Sequence, residues 1–290
     1  MWERAARGPN RKRLYDSWGL SLPAGKVAIM GILNVTPDSF SDGGRFFHEE
    51  DAVRQGLALA REGADLIDVG GESTRPGSDE VPADEEVARI VPVIEALAPV
   101  LSIPVSIDTR KTAVAEAALQ AGATIINDVT GLRHDADLAR VAADHGAGLV
   151  LNHIRGTPKE MQKNPHYADT VSEVFTDLAR SVEIALAAGV AEEKIAVDPG
   201  IGFGKRLEDN LLLLRRLSEL RSLGFPLLVG PSRKAFLGGI LDLPVDKRLE
   251  GTIGASVLAV RNGADMLRVH DVEAVARAIR VAEAIEGVEE

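Results

Sequence analysis

Six polar side chains follow short apolar runs of the sequence and have the chemistry to bind a polar, charged ligand. The first three carry carboxylate or amide groups, which suit a ligand edge rich in N–H donors. The last three are cationic donors, which suit a phosphate or a carboxylate. They are Asp108, Asn127, Asp198, Lys234, Arg268 and His270. The carboxylate and amide residues come first along the chain and the cationic residues follow. This separation predicts a site for a phosphorylated ligand that also carries a polar heterocycle.

Structural roles also fit some of these residues when each is taken alone. Asp108 precedes a helical pattern and would serve as a helix N-cap. His153 fits a buried histidine of the core as well as a site residue, and the glycines between residues 200 and 204 fit tight turns. Capping does not account for the whole pattern, because charged or amide groups follow every one of the apolar runs.

The apolar runs have the length of β-strands, and there are eight of them: 27–33, 66–69, 105–107, 125–126 with 129, 149–151, 195–197, 227–229 and 266–269. Segments rich in Ala, Leu, Glu and Arg lie between them, with apolar residues three and four positions apart. These segments predict helices, for example at 52–61, 85–97, 112–119, 171–187 and 208–220.

Alternation of eight apolar strands with helices predicts an all-parallel sheet covered by helices, closed into a (β/α)8 TIM barrel. Four similar segments support the count, each with a glycine at a helix end just ahead of a strand: Gly63, Gly122, Gly146 and Gly263. The alternative is an open, doubly wound sheet, whose first turn should carry G-x-G-x-x-G. The segment from Gly31 to Asn34 does not fit that pattern.

We expect one barrel domain over residues 26–290, preceded by an N-terminal extension over residues 1–25. Within the extension, residues 20–24 could form a short plug or strand under the barrel floor. In such a barrel the carboxyl ends of the strands form the active face, which is where the polar residues fall. The loops after the first two strands are rich in Gly, Pro, Ser and Thr, so we expect them to act as mobile lids.

Composition excludes several classes of function. The chain has 290 residues and a formal net charge of −11, which argues against a general binder of nucleic acid. It has no cysteine, so disulfides, thiolate metal sites and a cysteine nucleophile are excluded. No apolar stretch has the length of a signal peptide core or a membrane span, and we expect a cytoplasmic protein without a membrane partner.

Seven segments of the sequence resemble those of the dihydropteroate synthase family, and together they span nearly the whole chain after residue 25. They are Gly31-Ile-Leu-Asn-Val-Thr-Pro-Asp-Ser-Phe-Ser-Asp-Gly-Gly44, Gly71-Glu-Ser-Thr-Arg-Pro-Gly77, Ser106-Ile-Asp-Thr-Arg-Lys111, Ile126-Asn-Asp-Val-Thr-Gly131, Asp198-Pro-Gly-Ile-Gly-Phe-Gly204, Ser232-Arg-Lys234 and Arg268-Val-His-Asp271. The resemblance implies a transferase of folate biosynthesis. In that reaction (7,8-dihydropterin-6-yl)methyl diphosphate condenses with p-aminobenzoate, with the assistance of Mg²⁺, to give dihydropteroate and diphosphate.

The resemblance also assigns roles to individual residues. It makes Asn34 a magnesium ligand and places Thr74, Arg268 and His270 on the phosphate oxygens. Four residues match the pterin-binding positions: Asp108, Asn127, Asp198 and Lys234. The p-aminobenzoate site would be lined by Pro76, Phe203, Ser232 and Arg233, and Arg75 would close over the diphosphate. Asp108, Lys234, Arg268 and His270 would act in catalysis, and a homodimer through the later helices is implied.

One segment departs from the family pattern. The family commonly has Met-His-Met-Gln after the fifth strand, where this chain has Asn152-His153-Ile154-Arg155. This departure alters the apolar packing expected against the pterin face and leaves the main hydrogen-bonding residues in place.

Two other functions are compatible with a barrel of this kind. A pterin-dependent methyltransferase acting with a corrinoid partner would share the pterin face but lack the diphosphate contacts that Thr74, Arg75, Arg268 and His270 predict. A catalytically silent pterin-binding barrel would be expected to lose residues from the first two loops, which are intact here. No residue resembles an activated nucleophile, so we expect no covalent enzyme intermediate. We also expect ordered binding, in which diphosphate closes loops that include Ser39 and Phe40 before p-aminobenzoate binds.

Overall fold

Eight parallel strands form a closed barrel in the part of the chain that the structure describes. This computed structural model describes residues 10–23, 25–36 and 45–287, without the side chains of residues 45–48. The strands are β1 (Ala28–Asn34), β2 (Leu66–Gly70), β3 (Val105–Asp108), β4 (Ile125–Asp128), β5 (Gly148–Asn152), β6 (Ile195–Asp198), β7 (Leu228–Val229) and β8 (Met266–Val269). Their order is β6-β5-β4-β3-β2-β1-β8-β7, and a parallel bridge between Val197 and Leu227 closes the ring.

Helices surround the barrel, as the sequence pattern predicts. They are α1 (Asn10–Trp18), α2 (Arg45–Glu62), α3 (Ala83–Leu97), α4 (Thr112–Gln120), α5 (Asp137–Asp144), α6 (Thr170–Ala187), α7 (Leu207–Arg215), α8 (Ala235–Leu241), α9 (Leu249–Arg261) and α10 (Val272–Glu286). Short 3-10 turns occur at Glu192–Lys194, Leu217–Leu223 and Val245–Lys247. The predicted helix over 208–220 is therefore divided into α7 and a 3-10 turn.

Two apolar layers hold the barrel together, and strand periodicity separates them. Residues that point outward pack against the helices, for example Ile67 and Val69 of β2 with Ile90 and Ile94 of α3. Residues that point inward fill the lower half of the barrel, for example Met30, which belongs to a second cluster. Successive side chains on a strand point to opposite faces, so one run of residues serves both layers.

Helix α1 fills the floor of the barrel. Leu14, Tyr15 and Trp18 belong to the same apolar cluster as the lower inward residues of the strands. Tyr15 donates a hydrogen bond to the Asp265 carbonyl, and Trp18 Nε1 donates to the Lys194 carbonyl at 3.1 Å. The floor plug is thus mainly this helix. Leu20 joins the cluster, but residues 20–23 form no strand, and Ala24 lies outside the described residues.

The glycines predicted to end helices just ahead of strands do adopt left-handed backbone conformations. Gly122, with φ of 116°, and Gly263, with φ of 110°, turn the chain from α4 into β4 and from α9 into β8. A side chain would strain the backbone at these angles. None of the helices in the described part of the chain combines the length and the apolar character that a membrane span needs.

Candidate active site

Inward positions of the strands change from apolar to polar toward their carboxyl ends. On β4 the inward pair is Ile125 then Asn127, on β6 it is Ala196 then Asp198, and on β8 Met266 precedes Arg268. Because the strands are parallel and in register, the polar residues form a ring at one end of the barrel. This ring is the base of the candidate active site.

A small cleft opens above the ring. Five of the six polar side chains predicted to bind ligand line it, namely Asn127, Asp198, Lys234, Arg268 and His270. The other lining residues are Ile32, Val129, Asn152, Phe203, Gly230 and Ser232. Asp108 lies behind this wall and contacts it through Arg268.

Arg268 is held by two buried carboxylates. Its Nε donates to Asp68 Oδ2 at 2.6 Å, and its Nη2 donates to Asp108 Oδ2 at 2.5 Å. Burial opposes the charge of the guanidinium, but the two carboxylates outweigh it and raise the pKa of Arg268 further above its usual range. The pKa of Asp108 is also raised, because burial and the nearby Asp68 carboxylate outweigh the attraction of Arg268. The Arg268 side chain is therefore positively charged and held in one orientation.

Asp198 and Lys234 lie near each other in the cleft wall, on the side formed by the end of β6 and the residues after β7. Asp198 Oδ1 accepts a hydrogen bond from the Gly200 backbone N–H at 2.7 Å. Lys234 donates to the Ile201 carbonyl, and its Nζ lies 4.5 Å from the centroid of the Phe203 ring. Burial lowers the pKa of Lys234 to about 8, although the Asp198 carboxylate works in the opposite direction. Burial likewise raises the pKa of Asp198.

The glycines of the loop after β6 are required by close backbone packing and do more than permit turns. A Cβ at Gly200, where φ is 67°, would lie 1.8 Å from the His153 carbonyl oxygen. A Cβ at Gly204 would lie 2.2 Å from the Arg155 carbonyl oxygen. This loop carries Phe203, so its glycines set the position of an aromatic wall of the cleft.

The surroundings of His270 favour a neutral imidazole, whereas the sequence pattern predicts a third cation at this position. Burial, with the nearby Arg268 and Arg233 charges, lowers the pKa of His270 to about 3. Its Nδ1 lies 3.0 Å from Ser232 Oγ, and its backbone N–H donates to the same oxygen at 3.2 Å. Since Ser232 Oγ accepts the backbone proton, its own hydroxyl can donate to Nδ1, which leaves Nε2–H as a donor.

Arg233 points away from the cleft that it was predicted to line. Its Nε donates to Asp271 Oδ2 at 2.9 Å, and its Nη2 contacts the other carboxylate oxygen. Its backbone has φ of 55°, a left-handed conformation that non-glycine residues seldom adopt. The pairing with Asp271 explains the direction of the side chain, because two parallel charge-assisted bonds hold it there.

The second loop, residues 71–82, lies outside the cleft. Thr74 is half-buried, whereas Arg75 and Pro76 are exposed, and none of the three lines the cavity. The structure therefore does not place these predicted ligands of the diphosphate and p-aminobenzoate in the cleft wall, although the charge of Arg75 is near enough to help lower the pKa of His270. Ser39 and Phe40 of the first loop lie outside the described residues.

A buried ion cluster ties down both ends of the second loop. Lys111 Nζ donates to Glu72 Oε2 at 2.5 Å, to Glu86 Oε2 at 2.6 Å and to the Val81 carbonyl at 2.6 Å. Arg110 contacts the other Glu72 oxygen at 3.0 Å. Glu72 and Val81 flank the exposed part of the loop, so movement of residues 73–80 would start from fixed ends.

Asn34 ends β1 beside Gly70, which pairs with it on β2. A Cβ at Gly70 would be in ordinary van der Waals contact, 3.7 Å from Asp108 Oδ2 and 3.9 Å from Asn34 Oδ1, so both oxygens lie close to this glycine. Oxygen donors of this kind fit Mg²⁺, which keeps water and takes substrate phosphate as further ligands. Among the described residues no group of three or more His, Cys, Asp or Glu is placed to hold an ion.

The segment that departs from the family pattern contributes to the cleft and to its support. Asn152 lines the cavity and donates to the Val129 carbonyl at 2.7 Å. His153 is fully buried, with Nε2 at 3.0 Å from Asp177 Oδ2 and Nδ1 at 2.9 Å from Lys205 Nζ. The structure thus supports the reading of His153 as a core histidine. Ile154 packs against Phe203 from behind.

Sequence reasoning missed Asp68 and Lys205. Asp68 lies inside an apolar strand run, and only residues after each run were considered; an acidic residue at an inward position of a buried strand was the available signal. Lys205 directly follows the glycine loop, where it donates to the Phe203 carbonyl at 3.0 Å and to His153 Nδ1. Burial lowers the pKa of Lys205 well below its usual value.

Comparison with known proteins agrees with this site. Residues 30–270 match the family described as pterin binding enzymes. The dihydropteroate synthase of Synechocystis sp. is 48% identical, over 96% of this chain and 94% of that protein. The structure of Xanthomonas albilineans dihydropteroate synthase with 4-aminobenzoic acid is 44% identical, covers 94% of this chain and 98% of that one, and has a TM-score of 0.88. The same enzyme in complex with 7,8-dihydropteroate is 41% identical, covers 94% and 99%, and has a TM-score of 0.84.

A (β/α)8 barrel with this ring of polar residues is a pterin-binding enzyme fold. The chain belongs to the dihydropteroate synthase family. The family and the closed parallel barrel predicted from the sequence are both confirmed.

Proposed function

We propose that the chain condenses (7,8-dihydropterin-6-yl)methyl diphosphate with p-aminobenzoate, giving 7,8-dihydropteroate and diphosphate. The observation that carries this proposal is the cleft itself, where acceptors on Asp198 and Asn127 face cationic donors on Lys234 and Arg268. The relatives with the same fold include one bound to 4-aminobenzoic acid and one bound to 7,8-dihydropteroate.

The side of the cleft that carries Asp198 and Lys234 suits the pterin ring. Because Gly200 takes Asp198 Oδ1, the other oxygen of that carboxylate is left to accept N–H donors from the amino-pyrimidine edge. Lys234 can donate to the oxo group, and Phe203 supplies an aromatic wall. Asn127 adds a further polar contact at the base.

Arg268, His270 and Thr74 would bind the diphosphate. Arg268 is charged and fixed by two carboxylates, and neutral His270 can donate from Nε2. Thr74 and Arg75 must move inward with the second loop to reach the same anion. Asn34 would hold Mg²⁺ next to this group, and the ion would supply positive charge against the diphosphate.

The chemical step needs no covalent bond to the protein. The C–O bond between the pterin methylene and diphosphate breaks, and diphosphate leaves with the bonding electrons, stabilised by Arg268 and His270. The p-aminobenzoate nitrogen attacks the resulting pterin-stabilised cation and then loses a proton. Asp108, behind the cleft wall, would favour positive charge on the pterin. Intact-mass analysis during turnover tests this scheme, since a pterin–protein adduct would contradict it.

p-Aminobenzoate would bind second. Ser232 and Phe203 already line the cleft, but Pro76 and Arg75 are exposed on the second loop and Arg233 is paired with Asp271. Ordering the loop residues costs about 1–2 kcal/mol each, which diphosphate with Mg²⁺ can offset. Calorimetric titration of p-aminobenzoate with and without these two ligands is the test, and equal affinity would exclude the ordered scheme.

A homodimer through the later helices is also proposed. Exposed apolar side chains are concentrated on the last third of the chain, among them Ile240, Val245, Leu258, Val281 and Ile285. Patches of this kind commonly mark protein interfaces. Sedimentation equilibrium of the purified chain tests the proposal, and a monomer across the micromolar range would contradict it.

The overall proposal is tested by mixing the chain with the pterin diphosphate, p-aminobenzoate and Mg²⁺ and measuring dihydropteroate by chromatography. Product is expected only when all three are present. An inactive protein that still binds the pterin would favour a silent barrel. Methyl transfer from a methylated pterin to a corrinoid protein would favour the methyltransferase.

A further inference from the structure

We propose that Asp68 is a positioning residue that decides which face of the Asn127 amide the ligand meets. This inference rests on the proposed function, because it concerns how the same cleft recognises the pterin. Asp68 itself makes no contribution to the cavity wall. It acts through two residues that do, Asn127 and Arg268.

Asp68 lies one inward layer below the ring. On β2 it pairs with Ile32 of β1 and Ser106 of β3, whereas Gly70, the next inward residue, pairs with Asp108. Its side chain is 0% exposed. A fully buried carboxylate is costly unless it is paired, so its place in the barrel calls for a specific role.

One carboxylate oxygen of Asp68 serves both residues of the cleft. Oδ2 accepts from Asn127 Nδ2 at 2.9 Å and from Arg268 Nε at 2.6 Å. The other oxygen, Oδ1, has no hydrogen-bond partner in the described part of the chain. Both hydrogen bonds that Asp68 accepts are therefore made by the same oxygen atom.

The pairing fixes the orientation of the Asn127 amide. A carboxylate accepts hydrogen bonds and cannot donate them, so Asn127 must turn its NH₂ toward Asp68. Its carbonyl oxygen is then the atom presented to the cleft that Asn127 lines. Without such a partner an amide can flip and present either a donor or an acceptor. Asp68 therefore makes Asn127 an acceptor for N–H groups of the ligand.

Arg268 is aimed by the same oxygen. Asp68 accepts a hydrogen bond from Arg268 Nε and Asp108 accepts one from Nη2, so these two contacts hold the planar guanidinium in place. Nη1 is left to meet an anion in the cleft. Because Asn127 and Arg268 share one acceptor, the heterocycle side and the phosphate side of the site are set relative to each other by a single buried group.

The chemical class that this geometry selects is a heterocycle with N–H donors at the base of the cleft. Leucine at position 68 has a similar branched shape but accepts no hydrogen bond, so the Asn127 amide would lose its partner and could turn over. Asn127 would then present NH₂ to the ligand, and two donors would face each other. A buried mismatch of this kind is expected to weaken binding by about 10- to 100-fold.

The experiment measures binding of 6-hydroxymethylpterin, which lacks the diphosphate, by calorimetry. Asp68→Leu is expected to lose about 10- to 100-fold in affinity, because nothing then holds the Asn127 amide in one orientation. Asp68→Asn is expected to bind within about threefold of the unmodified protein, because its amide oxygen can still accept from Asn127 Nδ2 and Arg268 Nε. A role of Asp68 in packing alone would not distinguish these two variants in this way.

Ser106→Ala is the matched control. Ser106 pairs with Asp68 at the same depth of the barrel, and its buried hydroxyl has no hydrogen-bond partner in the described residues. Its loss should leave pterin affinity unchanged. Circular dichroism melting follows the fold of every variant. If Asp68→Leu does not fold, Asp68→Ala takes its place in the comparison with Asp68→Asn.

The outcomes are distinct. Failure of the unmodified protein to bind 6-hydroxymethylpterin would overturn the proposed function. Binding by the unmodified protein with equal affinity in Asp68→Leu would overturn the role of Asp68 alone. Equal losses in Asp68→Leu and Asp68→Asn would also overturn it. Loss in Asp68→Leu with binding retained in Asp68→Asn supports the proposal.

Discussion

Replacing Asp198 with Asn should keep the fold and weaken pterin binding strongly. Asp198 Oδ1 already accepts the Gly200 N–H at 2.7 Å, and the residue is 5% exposed. In Asp198→Asn the amide oxygen must stay on that backbone N–H, since the alternative places N–H against N–H. The NH₂ group is therefore forced toward the cleft, where it meets the donors of the pterin edge.

The size of the loss follows from this mismatch. Exchanging a buried acceptor for a donor opposite a ligand donor costs roughly 2–4 kcal/mol, or about 30- to 1000-fold in affinity. A second effect comes from Lys234. The Asp198 carboxylate raises the pKa of Lys234, which burial holds at about 8, so removing that charge lowers the pKa further. Part of the loss at pH 8 should then be regained at pH 6, where Lys234 is protonated again.

Calorimetric titration with 6-hydroxymethylpterin at pH 6 and pH 8 measures both effects. Asp144→Asn is the control, because Asp144 is an exposed carboxylate paired with Arg140 on α5, far from the strand ends. Melting curves should show that the folds of both variants are retained. An unchanged dissociation constant in Asp198→Asn at both pH values would refute the assignment of this carboxylate to the pterin edge.

Three other changes probe separate parts of the site. Arg268→Ala should weaken diphosphate compounds far more than 6-hydroxymethylpterin; equal losses in competition binding would count against a phosphate role. The same variant leaves Asp68 and Asp108 without their cation and should lower the free energy of unfolding by about 3–5 kcal/mol. The affinity of the unmodified protein for pterin should be full below pH 8 and fall above it, because Lys234 loses its proton as the pH rises through its lowered pKa of about 8. Lys234→Arg should bind with no such fall. A fall that persisted in that variant would exclude Lys234 as its source. Lys111→Met should cost about 3–5 kcal/mol in urea denaturation, because buried Glu86 loses its cationic partner and Glu72 keeps only Arg110. A cost below about 1 kcal/mol would show that the cluster does not anchor the second loop.

The strands were predictable because two requirements coincide in them. A parallel barrel strand is buried on both faces, so its residues form a short apolar run, and its carboxyl end becomes polar where the site begins. Predicted strand 105–107 stops at Asp108 for this reason, although the ladder includes that residue. The same property hid Asp68, because a lone carboxylate inside an apolar run was treated as part of the strand.

Other features depend on neighbours that are distant in the sequence. The lowered pKa of His270 results from burial beside Arg268 and Arg233, which adjacent residues do not indicate. The direction of Arg233 depends on Asp271, at the start of α10. Helix α1 was missed because the segment before residue 20 is highly charged, and its apolar positions are meaningful only against the barrel floor.

Helix α1 is, in effect, a ligand of the barrel that is carried on the same chain. Trp18 packs so closely that a Cβ at Gly148 would lie 2.5 Å from its Nε1. The segment from residue 19 to residue 27 serves as the tether, which gives the helix an effective concentration of about millimolar or more at its receptor site. Doubling the length of such a tether costs only about 0.6 kcal/mol, whereas cutting it exposes the apolar floor around Met30 and Leu66. The amino-terminal segment is thus tolerant of insertion between helix and barrel and intolerant of removal, so a circularly permuted chain should retain the floor if α1 is rejoined by any flexible linker of sufficient reach.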